Sequence, residues 1–307
     1  MIGAPDMAKL NLVKIFNSLN KTSNCLNNDS NNLSSYFAGL FEGDGHIWIP
    51  SSNLTKKHNP RFHITFHLKD LPLANKLLEI IEFGFIRFKP KENACVLTVS
   101  SVKGLKFIIN LINGNLRTPK INQVNLLIDW LNKHHNSNIP ILSLSSKTLF
   151  EDAWLAGFID ADGSFGLRHT KPTTTRSKRR ISCRFRLEQR MLDPITGESY
   201  KTVLSLIANN LHSNLTLRKQ SGTDNIYYLI DLSSIKSITL LRNYLDNSSL
   251  FTSKYLDYQD WRKACNLILN NLHYTNEGIN QIDNLKSNMN RKRTYFNWDH
   301  LENLKFK

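Results

Sequence analysis

A ten-residue segment that returns at a fixed distance is what most narrows the folds open to this chain. Residues 36–45 read YFAGLFEGDG and residues 154–163 read WLAGFIDADG, offset by 118 at every position. The likeness continues past each copy. HIWIP (46–50) and SFGLR (164–168) alternate apolar and polar residues, the period of a half-buried strand. Basic loops follow (51–60 and 169–180), then a second alternating strand in each copy, RFHITFHLKD and ISCRFRLEQR. A helical stretch, two further strands and a last helical region close each repeat. The chain is therefore read as α+β, with two αββαββα halves at 34–135 and 150–272 joined by a linker at 136–149. Residues 1–33 form an N-terminal extension and 273–307 a basic C-terminal segment. Two similar halves in one chain imply a pseudo-twofold axis.

The repeated segment has a physical logic of its own. Gly39 and Gly43 stand four apart, as do Gly157 and Ala161, and small residues on one helix face let two backbones approach closely. Gly45 and Gly163 are expected to stop the two helices with a left-handed residue. Asp44 and Asp162 then come to adjacent helix C-termini, where each carboxylate meets the negative end of a dipole and the charge of its twin. A hard divalent cation with oxygen ligands would relieve both.

Charge points the same way. Lys plus Arg is 40 against 25 Asp plus Glu, a formal net charge of +15, which favours a polyanion such as nucleic acid. No run of apolar residues is long enough to span a bilayer, and no secretory leader is expected. The four cysteines, Cys25, Cys95, Cys183 and Cys265, are isolated and read as reduced thiols without a structural zinc.

Two copies of (L/F)AG(L/F)(F/I)(E/D)(G/A)DG, each followed by a basic alternating hairpin, resemble the double-motif LAGLIDADG homing endonucleases over residues 34–272. The resemblance implies a monomer with two curved antiparallel DNA-binding sheets. Such a protein makes a double-strand break in a long, loosely palindromic target and so promotes intron mobility. It implies Mg²⁺ or Mn²⁺ as cofactor, with Ca²⁺ binding without supporting cleavage. Asp44 and Asp162 match the metal-binding acids, with the carbonyls of Gly43 and Ala161 as further ligands, and Glu42 and Asp160 match a more structural acidic position. Gln189 matches a polar residue at the end of each half's second strand. Asp70 is taken as its counterpart, a departure because Gln is common there. Lys120 and Lys254 match lysines that orient water or stabilise phosphate charge. Some relatives instead help their host intron RNA to fold, which makes an RNA-splicing maturase one alternative and a cleavage-inactive DNA-binding relative another. The first eight residues, MIGAPDMA, resemble a stretch of cytochrome oxidase subunit I. With the Asn, Lys and Ile richness of the chain, they suggest an intron reading frame in a mitochondrial gene and a protein of the mitochondrial matrix.

Alternation also assigns a DNA-facing surface. In the first half it comprises His46, Trp48, Lys56, Lys57, Arg61, His63, Thr65, His67, Arg87, Lys89 and Lys91. In the second it comprises Ser164, Arg168, Lys178, Arg180, Ser182, Arg184, Arg186, Thr216, Arg218 and Gln220. Arg suits the O6/N7 edge of guanine and Gln the N6/N7 edge of adenine, while the clustered lysines suit phosphates.

Overall fold

The computed structural model of the chain describes residues 32–51, 58–172, 174 and 179–304. Lys56, Lys57 and Lys178, together with Cys25 and the MIGAPDMA segment, lie outside the described residues.

The first half runs α1 (32–44), β1 (Gly45–Trp48), β2 (Arg61–His67), α2 (Leu71–Ile81), β3 (Phe85–Lys89), β4 (Ala94–Val99), α3 (Val102–Ile112) and α4 (Ile121–His135). The second repeats it as α5 (Trp154–Asp162), β5 (Gly163–Thr170), β6 (Arg180–Arg190), α6 (Lys201–Asn210), β7 (Leu215–Lys219), β8 (Ile226–Leu232), α7 (Ile235–Asn247) and α8 (Lys254–Leu269), followed by α9 (Asn276–Asn288). Each half holds one four-stranded antiparallel sheet, ordered β1-β2-β4-β3 and β5-β6-β8-β7. Period-2 alternation puts Phe62, Ile64 and Phe66 of β2, and Cys183, Phe185 and Leu187 of β6, on the covered faces, where all are buried. Each Phe, Ile or Leu there contributes roughly 1.5–3 kcal/mol by leaving water. The alternate residues form the opposite, open faces.

The two halves meet where α1 and α5 cross. A Cβ on Gly39 would sit 2.0 Å from the Trp154 carbonyl oxygen, and one on Gly157 would sit 1.9 Å from that of Tyr36. The contact is reciprocal under the 118-residue offset. One turn on, a Cβ on Gly43 would fall 2.1 Å from that of Ala161, so the pair tolerates one methyl and not two. Gly45 and Gly163 do not stop their helices as expected. Gly163 has φ −78° and ψ 157°, extended backbone open to any residue, and Gly45 is absent from the positive-φ glycines, which among the described residues are Gly84, Gly114, Gly197 and Gly222. What these two positions need is room. Added Cβ atoms would meet the carbonyl oxygens of Phe41 at 2.5 Å and Ile159 at 2.8 Å.

The region that closes the first half is two helices. Gly114, at φ 88°, and Pro119 break it between Ile112 and Ile121. The corresponding break in the second half falls between Asn247 and Lys254. Both breaks carry site residues. Beyond α8, the C-terminal segment folds back onto the second half. Ile282, Met289, Leu301 and Leu304 are buried, and Arg293 pairs with Asp257 (3.0 Å) and Asp260 (2.7 Å). No described helix is long and apolar enough to cross a membrane.

Candidate active site

Where α1 and α5 end, each helix is tied to the opposite half by a buried acid. Glu42 accepts from the backbone N–H of Arg117 (2.9 Å) and Thr118 (2.6 Å), the Thr118 hydroxyl (2.6 Å) and the indole N–H of Trp154 (2.5 Å). Asp160 accepts from the N–H of Phe251 (2.6 Å) and Thr252 (3.2 Å), the Thr252 hydroxyl (2.5 Å) and the Tyr36 hydroxyl (2.7 Å). Trp154 and Tyr36 are equivalent under the repeat, and each lies in the helix of the other half. Burial raises the pKa of both acids against the lowering effect of these hydrogen bonds. Both acids are fully enclosed and richly bonded, so they hold the loops before α4 and α8 against the crossing helices.

Those loops deliver two lysines. Lys120 Nζ donates to the carbonyl oxygens of Gly43 (2.7 Å) and Gly45 (2.8 Å), and Lys254 Nζ donates to that of Ala161 (2.6 Å). An ammonium at a helix C-terminus complements the dipole there. The carbonyls of Gly43 and Ala161, expected as metal ligands, thus already accept a lysine proton each, and the carboxylates are left as the main oxygen donors. A second short repeat underlies this arrangement: Thr-Pro-Lys at 118–120 and Thr-Ser-Lys at 252–254. In each, the Thr clamps the acid and the Lys two residues later reaches the helix end. Thr118 and Thr252 were readable from that spacing but do not figure in the motif.

Asp44 and Asp162 stand at the last turns of the paired helices, Asp44 exposed and Asp162 half-buried. Asp162 Oδ2 lies 3.2 Å from where a Cβ on Gly43 would be, so Asp162 borders the other helix. Burial and then the charge of Asp44 push the Asp162 carboxyl up to about 7, against the lowering charges of Lys254 and Lys120. The surrounding protein also lifts Asp44, although its edge is open to solvent. Desolvation lowers Lys120, and the nearby acids, Asp162 first, oppose that. Two carboxylates at neighbouring helix ends, one feeling the charge of the other and both with raised pKa values, are the donor chemistry that a divalent cation satisfies. Among the described residues no cluster of three or more His, Cys, Asp or Glu side chains could hold a metal ion. A cation here would complete its shell with water or phosphate oxygen, as Mg²⁺ ordinarily does.

The strand-end residues differ from expectation on one side. Gln189 donates from Nε2 to Asp162 Oδ2 at 2.6 Å. Asp70 is not its counterpart. Gly45 pairs with Ile64 and Gly163 with Leu187, so two residues further along the strand Phe66 occupies the place of Gln189. Asp70 lies beyond the end of β2 in a short 3-10 turn, buried, where it accepts from the Ser253 N–H at 2.6 Å. It fastens the first half to the loop that carries Lys254. The first half therefore has an apolar side chain where the second has an amide against its acid.

The open sheet faces flank this pair. His46, Trp48, Arg61, His63, Thr65 and His67 share the open face of β1 and β2, where Arg61 lies over the Trp48 ring at 5.3 Å. Arg87 and Lys89 extend the same face at the edge strand, with Lys89 held by Glu92 at 3.0 Å, and Lys91 sits exposed in the turn beyond. His63 bonds the Thr98 hydroxyl through Nδ1 at 3.0 Å, and burial first, then neighbouring cations, lower its pKa to about 4. His63 is neutral at physiological pH and supplies hydrogen bonds without charge. On the second sheet Ser164, Arg168, Arg180, Ser182, Arg184 and Arg186 share the open face with Thr216 and Arg218, and Gln220 continues the row, exposed, past the end of β7. Three of these arginines are already paired. Arg184 and Arg186 both contact Asp231, and Arg218 contacts Glu188. The two acids belong to this face and went unread, because their partners are set by register across strands distant in sequence.

A sequence model of LAGLIDADG endonucleases matches residues 37–131 and 155–265, one copy in each half. An intron-encoded DNA endonuclease of Saccharomyces cerevisiae is 30% identical over 301 aligned residues, which span 88% of this chain and 72% of that protein. An uncharacterized protein of cox1 intron 2 in Schizosaccharomyces pombe is 33% identical over 250, spanning 80% and 69%. Among solved structures, a LAGLIDADG homing endonuclease bound to its target DNA superimposes with a TM-score of 0.63. It covers 86% of this chain and 99% of its own at 18% identity, a likeness of fold.

Proposed function

Because the chain belongs to the LAGLIDADG endonuclease family, we propose that it is a homing endonuclease that cuts both strands of a long DNA target by metal-dependent phosphodiester hydrolysis, at a site built around Asp44 and Asp162. The observation that carries the reading is that these two acids close the facing helices on the pseudo-twofold axis, between two basic open faces.

Each residue then has a task that follows from its surroundings. Asp44 and Asp162 would hold Mg²⁺ or Mn²⁺, which when bound lowers the pKa of water and stabilises the leaving 3′ oxygen. The Gln189 amide orients the carboxylate of Asp162. Lys120 and Lys254 keep a positive charge beside the acids, fixed by the helix-end carbonyls, where it can stabilise phosphate. Glu42 and Asp160 keep both lysine-bearing loops in place from behind. The open faces supply phosphate contacts and base-edge donors. Because the faces carry different residues, the target is only loosely palindromic. The relative from a cox1 intron supports a mitochondrial setting, and we place the protein in the matrix, acting as a monomer.

The test is a supercoiled plasmid carrying an intronless cytochrome oxidase subunit I junction, incubated with the protein in Mg²⁺ or in EDTA. A single linear product in Mg²⁺ and none in EDTA is expected. Tight duplex binding in Mg²⁺ without any cut would favour the cleavage-inactive alternative. Selective binding of intron RNA with no duplex binding would favour the maturase.

A further inference from the structure

The second sheet treats its arginines differently from the first. Arg186 on β6 lies directly opposite Asp231 on β8, both on the open face. Asp231 accepts from Arg186 Nε at 3.1 Å and from Arg184 Nε at 2.7 Å, and it also accepts from Arg184 Nη2. One carboxylate thus holds two guanidinium groups. Arg184 is engaged through two of its nitrogens. Arg186 is engaged only through Nε, so among the described residues its terminal pair, Nη1 and Nη2, makes no protein hydrogen bond. That terminal pair is the two-pronged donor that matches guanine O6 and N7. The side chains of Arg184 and Arg186 are each 38% exposed and that of Asp231 26%, so the cluster lies within reach of a ligand on this face.

Among the described residues the first sheet has no such device. Under the same register His63 takes the place of Arg186 and Thr98 that of Asp231, a pair joined through Nδ1 and Oγ1. Partial burial alone would raise the Asp231 carboxyl, but the hydrogen bonds and charges of Arg184 and Arg186 hold it below the usual range, so it stays ionised. An exposed arginine ordinarily pays rotamer entropy when it docks on a base. One whose Nε is already tied to a fixed carboxylate has lost that freedom beforehand.

Resting on the endonuclease reading above, we propose that Asp231 is a specificity-determining positioning residue that aims the terminal nitrogens of Arg186 at a guanine in one half of the DNA target, with Arg184 as the second anchor. Asp231 also cancels one positive charge on this face, which suppresses attraction to unrelated DNA. The Glu188–Arg218 pair on the same sheet differs, because Glu188 holds Arg218 through Nη1 (2.6 Å), one of the terminal nitrogens themselves.

The test is selection of bound duplexes from a randomised DNA library, with Ca²⁺ in place of Mg²⁺, for the wild type, Asp231→Asn and Asp231→Glu. A wild-type consensus in two unlike parts is expected. If the wild type selects none, the endonuclease reading fails and this inference with it. Given a consensus, Asp231→Asn should lose about tenfold or more of its preference at one or two adjacent positions on one side only. Its affinity should also become more salt-dependent, the log–log slope steepening by about one, because a cation is set free for phosphate. Asp231→Glu keeps the charge but moves the anchor, so it should lose the same preference at the wild-type salt slope. That split separates aiming from net charge. An unchanged Asp231→Asn consensus, or a loss spread evenly over both parts, would overturn the proposal.

Discussion

Replacing Gly157 by alanine should cost far more than a methyl group normally does. The new Cβ would lie 1.9 Å from the Tyr36 carbonyl oxygen and 2.8 Å from the Leu40 backbone nitrogen, while ordinary contact begins near 3.4 Å. Both obstacles are main chain of α1, so no side-chain rotation makes room. The two helices must separate by about 1.5 Å at this point, loosening the buried side chains around the crossing. Overpacking a core costs about 1–3 kcal/mol, and a backbone obstacle places this case at the upper end. A loss of about 3 kcal/mol in a chain of this size corresponds to a fall in Tm of roughly 5 °C. Gly166→Ala is the matched control, because nothing lies within 4 Å of its Cβ, and its stability should stay within about 0.5 kcal/mol. The assay is urea unfolding followed by circular dichroism, with plasmid cleavage measured on the folded protein. Gly157→Ala should also cut poorly, since the same displacement moves Asp44 away from Asp162. If Gly157→Ala unfolds at the wild-type urea concentration, the tight crossing of α1 and α5 is wrong.

The remaining predictions concern the site. Asp162 has a folded pKa of about 7, above its unfolded value, so its charged form opposes folding. Metal-free protein should therefore gain stability as pH falls from 8 towards 5, with a ceiling on the order of 4 kcal/mol from this group. Glu42 and Asp160, also raised, slope the same way. Asp162→Asn should flatten the profile and be the more stable protein at pH 8, as read by thermal melts in EDTA. Equal profiles for the two proteins would contradict the buried pair. Gln189→Leu removes the amide that orients Asp162 and should slow the cut of one strand by about 10–100-fold, so that nicked plasmid accumulates; a uniform slowing of both strands would contradict a role confined to one acid. Phe66→Gln would place an amide in the corresponding position of the first half, and a strand-resolved time course should show the two cuts becoming more nearly equal. Glu42→Ala strands the N–H groups of Arg117, Thr118 and Trp154 in a buried space and should cost at least about 3 kcal/mol in urea unfolding. A loss below about 1 kcal/mol would mean that water reaches them.

How far the sequence could be read depended on the range of the interaction that mattered. Spacing within one element was enough for Gly39 against Gly157, because the 118-residue offset places both on the same helix face. It was enough for the open faces of β2 and β6 as well, since a strand's alternation is local. Pairing between strands was not readable. Counting to the end of each second strand led to Asp70, whereas the register from Gly45 and Gly163 leads to Phe66. The copies end differently, β2 running seven residues and β6 eleven, so an end is a poor landmark. Asp231 escaped for the same reason: nothing near it in the chain shows that it faces Arg186. Gly45 and Gly163 look like helix stops by composition, but the constraint on them is steric contact with the preceding turn, which leaves the same residue in the sequence for a different cause. The carbonyls of Gly43 and Ala161 could not be seen as lysine acceptors until the breaks before α4 and α8 were placed.

The central claim is that Asp44 and Asp162 together form the cleavage site. The most direct measurement is cleavage of the intronless junction in Mg²⁺ by Asp44→Asn and by Asp162→Asn, alongside their affinity for the same duplex. The structure predicts that each substitution abolishes double-strand cutting while binding stays close to wild type, because neither carboxylate supports the open faces. Wild-type cutting by both variants would contradict the site.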